Sequence, residues 1–201
     1  PGLGNVVTTF LLPTRADWVE RDLASPLDRR AALLVLASVR TREQLTAAMA
    51  QVDGQAVLSS PALVMTLLDG LGLEVAPDLA GWLREFHGDD DVMRSLYGIA
   101  TWVPHDDMFR ALLHRSYQKS AATALRAAVN RYPRRAMRVA AQQESRSAAE
   151  LLRGHAARHR DLAEEVLAEL DEAAAARLRT VLETFSDLPD APPERLHPVL
   201  V

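Results

Sequence analysis

From residue 61 onward, apolar positions recur every three to four residues, in runs broken by proline, glycine or short acidic stretches. After Ser60-Pro61 they fall at Leu63, Val64, Leu67, Leu68 and Leu71, one continuous face of a helix. Gly70 and Gly72 are expected to end it. Pro77 opens the next run, with Leu79, Trp82, Leu83 and Phe86 facing inward and Gly88 as its stop. Asp89, Asp90 and Asp91 then stand where a helix begins, since carboxylates favour the positive end of the helix dipole. Val92, Leu96, Ile99 and Val103 carry that run to Pro104. The same spacing returns at Met108, Phe109, Leu112, Leu113 and Ser116. Ala121 to Val129 and Ala136 to Ala141 follow, split by Tyr132-Pro133. Leu151 and Leu152 lie on one further helix, Leu162, Val166, Leu167 and Leu170 on another. Leu178, Val181, Leu182 and Phe185 mark the last.

Upstream the pattern is less regular. Asn5 to Leu12 is apolar and β-branched and reads either as a frayed helix or as a short strand. Thr14 is placed to cap a helix running to about Ala24. Ser25-Pro26 reads as the next start, with proline at the tolerated first position. Thr41 and Gln44 form a capping-box pattern for a helix to about Val52, which Asp53-Gly54 is expected to stop. No strand is expected after residue 14.

Pro77, Pro104 and Pro133 are 27 and 29 residues apart. The helices ahead of them keep the same beat, starting near Pro61, Asp90, Ser120 and Ser147. One hairpin of such helices cannot bury its own apolar face, so neighbours must stack. The expected fold is all-α, an α-α superhelix (solenoid) of about six antiparallel helical hairpins built from about twelve helices. It is expected to span residues 1–187 as one domain. A proline-rich linker, 188–201, would lead to a missing C-terminal region, and both chain ends read as cuts in a longer protein.

With 48% apolar residues in a chain of 201, a sizeable core is available. Aromatic residues are only 5%, thin for a module that stacks nucleobases. The absence of cysteine excludes disulfides, thiolate metal sites and cysteine nucleophiles, and suits a cytoplasmic protein. No apolar run is long enough to cross a membrane and no secretory leader is evident.

Charge is segregated. Residues 1–108 hold 8 basic and 15 acidic side chains, 109–160 hold 12 and 2, and 161–201 hold 3 and 10. The overall net charge of −4 hides a basic middle. One reading is a solvated surface neutralised by its acidic neighbours. A second is an anion or nucleic-acid contact face made by Arg126, Arg131, Arg134, Arg135 and Arg138, and a third is a contact for an acidic protein partner. Against the second stand the pI of about 5.9 and the lack of aromatics interleaved with these arginines.

Other constellations are read as structural. His155 and His159, four apart, have metal-ligand spacing, but Arg158 lies between them and the protease glutamate is missing, so they are expected on an exposed helix face. His105-Asp106-Asp107 and His87 with Asp89–Asp91 are expected to be helix starts rather than catalytic or metal clusters. Trp82, Trp102 and Phe109 are expected to pack between hairpins. Nothing resembles a phosphate-binding glycine loop or a serine-nucleophile elbow. No cofactor, metal site or catalytic residue is expected, and the chain is not expected to be an enzyme.

The stretch IATWVPHDDMFRALLHR, beginning at Ile99, is followed by SAATALRAAVNRYPRRAMRVAAQ, beginning at Ser120. Its small-residue helix, Arg-Tyr-Pro and Arg-Ala-Met-Arg resemble a recurring element of large bacterial proteins described as molybdate metabolism regulator-like. Those proteins share a conserved domain of unknown function, often beside a Trp-Gly-Arg domain. The tail from Leu188-Pro189 to Val201 also resembles the linker into that domain, and the resemblance covers about residues 60–201. It implies HEAT-like helical repeats acting as a non-catalytic protein-interaction scaffold within a larger regulatory protein. A protein partner is expected; the alternative is a nucleic-acid-binding solenoid using the arginines around 126–138. No catalytic residue carries over, and no Trp-Gly-Arg motif occurs in this chain.

Overall fold

Helix starts in this chain are set by short polar side chains that accept from the first-turn N–H groups, which have no intrahelical acceptor. Asp28, Thr41, Asp53, Ser60, Asp89 and Ser145 all do this. The computed structural model describes residues 3–186; the expected linker at 188–201 lies outside them. Every regular element among the described residues is helical. None of these helices is long and apolar enough to cross a membrane. The described residues divide into two compact units, one up to Arg131 and one from Tyr132 onward.

The first unit holds α1 (Leu3–Leu11), α2 (Ala16–Leu23), α3 (Arg29–Leu36), α4 (Arg42–Met49), α5 (Gly54–Leu58), α6 (Pro61–Leu71), α7 (Ala76–Glu85), α8 (Asp90–Ala100), α9 (Asp106–His114) and α10 (Lys119–Arg131). Helices pack on their neighbours and next-but-one neighbours: α5 on α6 and α7, α6 on α8, α7 on α9, α8 on α10. Leu36, Leu45, Leu58, Leu67, Leu79, Tyr97 and Leu112 are fully buried between them. Near the start, Thr9 Oγ1 donates to the buried Asp22 Oδ2 at 2.6 Å, joining α1 to α2. The ambiguous segment 5–12 is therefore helix, not strand.

Several starts and stops differ from the pattern. Thr14 does not cap; α2 begins at Ala16 without a side-chain cap. Ser25-Pro26 does not open a helix. That segment is spanned by Gln51, which accepts from Leu27 N–H at 2.8 Å and donates to Leu23 O at 3.2 Å, and α3 begins beyond Asp28. Thr41 caps α4 as expected, but Gln44 reaches one residue further back, accepting from Arg40 N–H at 2.9 Å. Asp53-Gly54 starts a helix rather than only stopping one: Asp53 Oδ1 accepts from Ala56 N–H at 2.8 Å and so begins α5. Gly54 has a packing reason too, since a Cβ there would lie 2.3 Å from Trp82 Cγ. Gly72, with φ of 62°, closes α6, and a 3-10 turn over Gly72–Val75 leads into α7.

The second unit holds α11 (Pro133–Ala141), α12 (Arg146–Arg158), α13 (Arg160–Leu167) and α14 (Glu172–Ser186). Its core joins Met137, Ala140, Leu152, Ala156, Ala163, Val166, Ala174, Leu178 and Leu182. The alanines that the sequence marks at 136, 140 and 141 are all buried, as are Ala121, Ala124 and Ala128 of α10 in the first unit.

Candidate functional site

The five arginines of the basic middle do not form one patch within either unit. Arg126 and Arg131 lie on α10 of the first unit; Arg134, Arg135 and Arg138 lie on α11 of the second. Arg126 and Arg131 are five apart, which turns them to different sides of a helix. Arg126 donates to Thr123 Oγ1 at 3.3 Å. The guanidinium carbon of Arg131 lies 3.3 Å from the centre of the Trp102 ring, a cation–π contact. Arg134 and Arg138, four apart, share a face and use it on their own unit. Arg134 Nε donates to Glu169 Oε1 at 2.6 Å and Nη1 to Glu165 Oε2 at 2.8 Å. Arg138 Nη1 reaches Glu169 Oε2 at 3.5 Å. Arg134, then Arg138, holds the Glu169 carboxyl below its ordinary pKa. Arg135 is half-buried. The acidic neighbours thus engage part of the basic segment directly.

The most concentrated polar arrangement lies elsewhere, in a cleft of about 890 Å³ bordered by α8, α10 and the turn at 87–88. At its base is Arg115, the residue that ends α9, only 2% exposed. Arg115 Nε donates to Tyr97 Oη at 3.2 Å, and Nη2 donates to the carbonyl of Phe86, the residue that closes α7. Tyr97 Oη in turn donates to Gln118 Oε1 at 2.6 Å. One guanidinium therefore ties together the end of α7, the middle of α8 and the approach to α10. Burial raises the Tyr97 hydroxyl pKa, with Arg115 acting in the opposite sense. Among the described residues Arg115 forms no ion pair. Lys119, Arg94 and His87 also line the cleft, beside Met93, Ala124 and Ala127.

Sequence reading counted Arg115 in the basic block without singling it out. A signal was present: Arg115 stands seven residues after Met108, in register with the apolar stripe Met108–Leu112. A charge at a stripe position marks a buried charge.

On the other side of the 98–101 segment lies a more apolar groove of about 620 Å³, lined by Met65, Leu68, Leu73, Ile99, Trp102 and Val103. Met65 is 53% exposed and Trp102 64%. Trp102 is thus not the core residue that the helical spacing suggests. Helix α8 ends at Ala100, and the turn that follows swings residue 102 out of the register of Leu96 and Val103. Phe109 is buried as expected, whereas Trp82 is half-buried against Gly54.

The histidine clusters resolve as structure. His105 is the N-cap of α9, its Nδ1 accepting from Asp107 N–H at 3.2 Å. Asp89 caps α8 through Val92 N–H at 2.9 Å. His155 is not on an exposed face. It is 2% exposed, with Nε2 at 3.0 Å from Pro133 O and Nδ1 without a partner. It occupies an inward position of α12, where α11 packs, while His159 beyond the helix end is exposed. Their ring centres are 4.7 Å apart. Burial, then His159 and Arg158 nearby, lowers the His155 pKa, and Nε2 donates to the Pro133 carbonyl, which can only accept. Among the described residues no group of three or more acidic or histidine side chains comes together as a ligand set for a metal ion.

The class that the fold defines is all-α. Comparison of the chain with protein-family models, with curated proteins and with solved structures found no match.

Proposed function

We propose that this chain is a non-catalytic protein-interaction scaffold, a HEAT-like stack of helical hairpins in the cytoplasmic part of a larger bacterial regulatory protein. The regulatory context rests on the resemblance of residues 99–141 to the molybdate metabolism regulator-like proteins. The stacking rests on the packing of α5 on α7, α6 on α8, α7 on α9 and α8 on α10 in the first unit. The interaction rests on one observation: the groove that exposes Met65, Leu73 and Trp102, with Arg131 over the indole. Tryptophan, methionine and arginine are the residues enriched where proteins bind one another. The occupant best matched to this groove is the apolar face of a helix or peptide from a protein partner.

The test replaces Leu73, a groove residue, by a photo-crosslinking phenylalanine analogue in cells. The same analogue at the exposed Arg84, outside the groove, serves as control. A partner captured at 73 but not at 84 is then purified and titrated against the chain. The reading expects Trp102→Ala to weaken that complex about tenfold or more while leaving the melting temperature within about 2 °C. Unaltered affinity in Trp102→Ala and Met65→Glu overturns it, as does equal capture at both positions.

A further inference from the structure

We propose that the cleft between α8 and α10 binds a small organic carboxylate. Its head group would lie on Arg115 and Lys119, and its apolar body against Ala127 and the edge of Met93. Among the described residues Arg115, 2% exposed, forms no ion pair. Its protein acceptors, the Phe86 carbonyl and the Tyr97 hydroxyl, are both neutral. Burying a charge without a counter-ion is costly and is normally relieved by pairing. These two bonds use two of the five guanidinium N–H donors, leaving both on Nη1 and one on Nη2. Arg115 Nη1 has no protein acceptor among the described residues and is not sealed from solvent. Since Arg115 lines the cleft, the Nη1 donors open on it.

The surroundings add positive charge and little that opposes it. Lys119 is exposed at the mouth and forms no ion pair among the described residues. It begins α10, whose first-turn N–H groups have no intrahelical acceptor and carry the positive end of the dipole. Arg94 is engaged by Asp91 at 2.9 Å, and His87 is exposed. Asp90 is the acidic residue of the lining, and it does not pair with Arg115. A planar fork of guanidinium donors matches a carboxylate or a phosphate alike. What separates the two is the rest of the wall. Ala127 is exposed there, and Met93 and Ala124 edge onto it, apolar surface that inorganic phosphate would leave uncovered. The volume of about 890 Å³ falls in the range of small-molecule sites. This inference is independent of a partner in the apolar groove.

The experiment is an NMR titration of the chain with sodium benzoate, sodium acetate and inorganic phosphate at fixed ionic strength. It observes the Arg115 Nε–H and the amides of Lys119 and Ser120. Benzoate should shift these signals saturably, with affinity about tenfold above acetate and phosphate. Lys119→Ala should weaken benzoate several-fold, and Ala127→Phe, an exposed position whose larger side chain fills the cleft, should abolish it. Both variants should keep the wild-type melting temperature, a safeguard that Arg115 substitutions lack because Arg115 also holds three elements together. Absence of saturation up to about 50 mM benzoate overturns the proposal. So does equal affinity for phosphate, which removes the organic body from the argument. Shifts that persist unchanged in both variants place binding elsewhere and overturn it as well.

Discussion

Gly54 and Trp82 meet across α5 and α7 with no room for a methyl group. The ring atoms Cγ, Cδ1 and Cδ2 would lie 2.3, 2.5 and 2.8 Å from a Cβ at residue 54. These atoms sit close to the tryptophan backbone and cannot swing aside cheaply. Gly54→Ala is therefore expected to destabilise by about 1–3 kcal/mol despite the better helix propensity of alanine, measured as a shift in the urea midpoint. His155 makes a second prediction. Its folded pKa lies below the ordinary histidine value, so the unfolded chain binds the proton more readily. Stability is then fully present above about pH 6.5 and declines as the pH falls below it. His155→Gln, which retains an N–H for the Pro133 carbonyl but does not titrate, should flatten the melting temperature between pH 7 and pH 5 relative to wild type. An equally steep fall in the variant would show that other groups carry the dependence. Burial of His155 and of Arg115 was hard to read from sequence for one reason. Polar residues at inward positions look like interruptions of a stripe, and only the partners across the packing, Pro133 O and Phe86 O, show why they are tolerated.

Helices were the most legible level. Of the stripe at Leu63, Val64, Leu67, Leu68 and Leu71 all but the half-buried Leu68 are buried, and of Met108, Phe109, Leu112, Leu113 and Ser116 all but the half-buried Ser116. Boundaries were less legible where one residue type serves two purposes. An Asp-Gly pair terminates many helices, but the Asp53 carboxylate can equally accept from the next turn, and here it does. Asp53→Ala should cost about 0.5–2 kcal/mol by uncapping α5, which places Ala56, Val57 and Leu58 in the core. Chemical denaturation measures this directly; no change would mean that packing alone holds α5. Pro26 misled for a related reason. Proline is compatible with a helix start and with an extended connection, and Gln51, 25 residues later, selects the connection. On α11, Arg134 bridges to Glu165 of α13 and to Glu169 just beyond its end in an exposed setting. Arg134→Ala should therefore lower the melting temperature only slightly, by an amount that shrinks as salt is added.

For the whole molecule, the charge blocks were legible and their use was not. The basic middle spans both units, and within the second unit Glu165 and Glu169 meet Arg134. The interaction-scaffold reading expects at most weak, salt-sensitive binding of a labelled DNA duplex between 50 and 200 mM salt, read by fluorescence anisotropy. Binding tighter than about micromolar with a steep salt slope that falls in Arg134→Ala/Arg135→Ala would favour the nucleic-acid reading instead. The division into two units adds a regional expectation. Amide exchange at pH 5 should accelerate in α11–α14, around His155, relative to α5–α9. Lys119 has a last, practical consequence. It is the sole lysine of the chain, and it stands at the mouth of the Arg115 cleft. An acylating reagent directed at primary amines thus has a single side-chain target, placed where a ligand would shield it. Occupancy of the cleft becomes countable as one mass increment, gained when the mouth is open and withheld when it is filled.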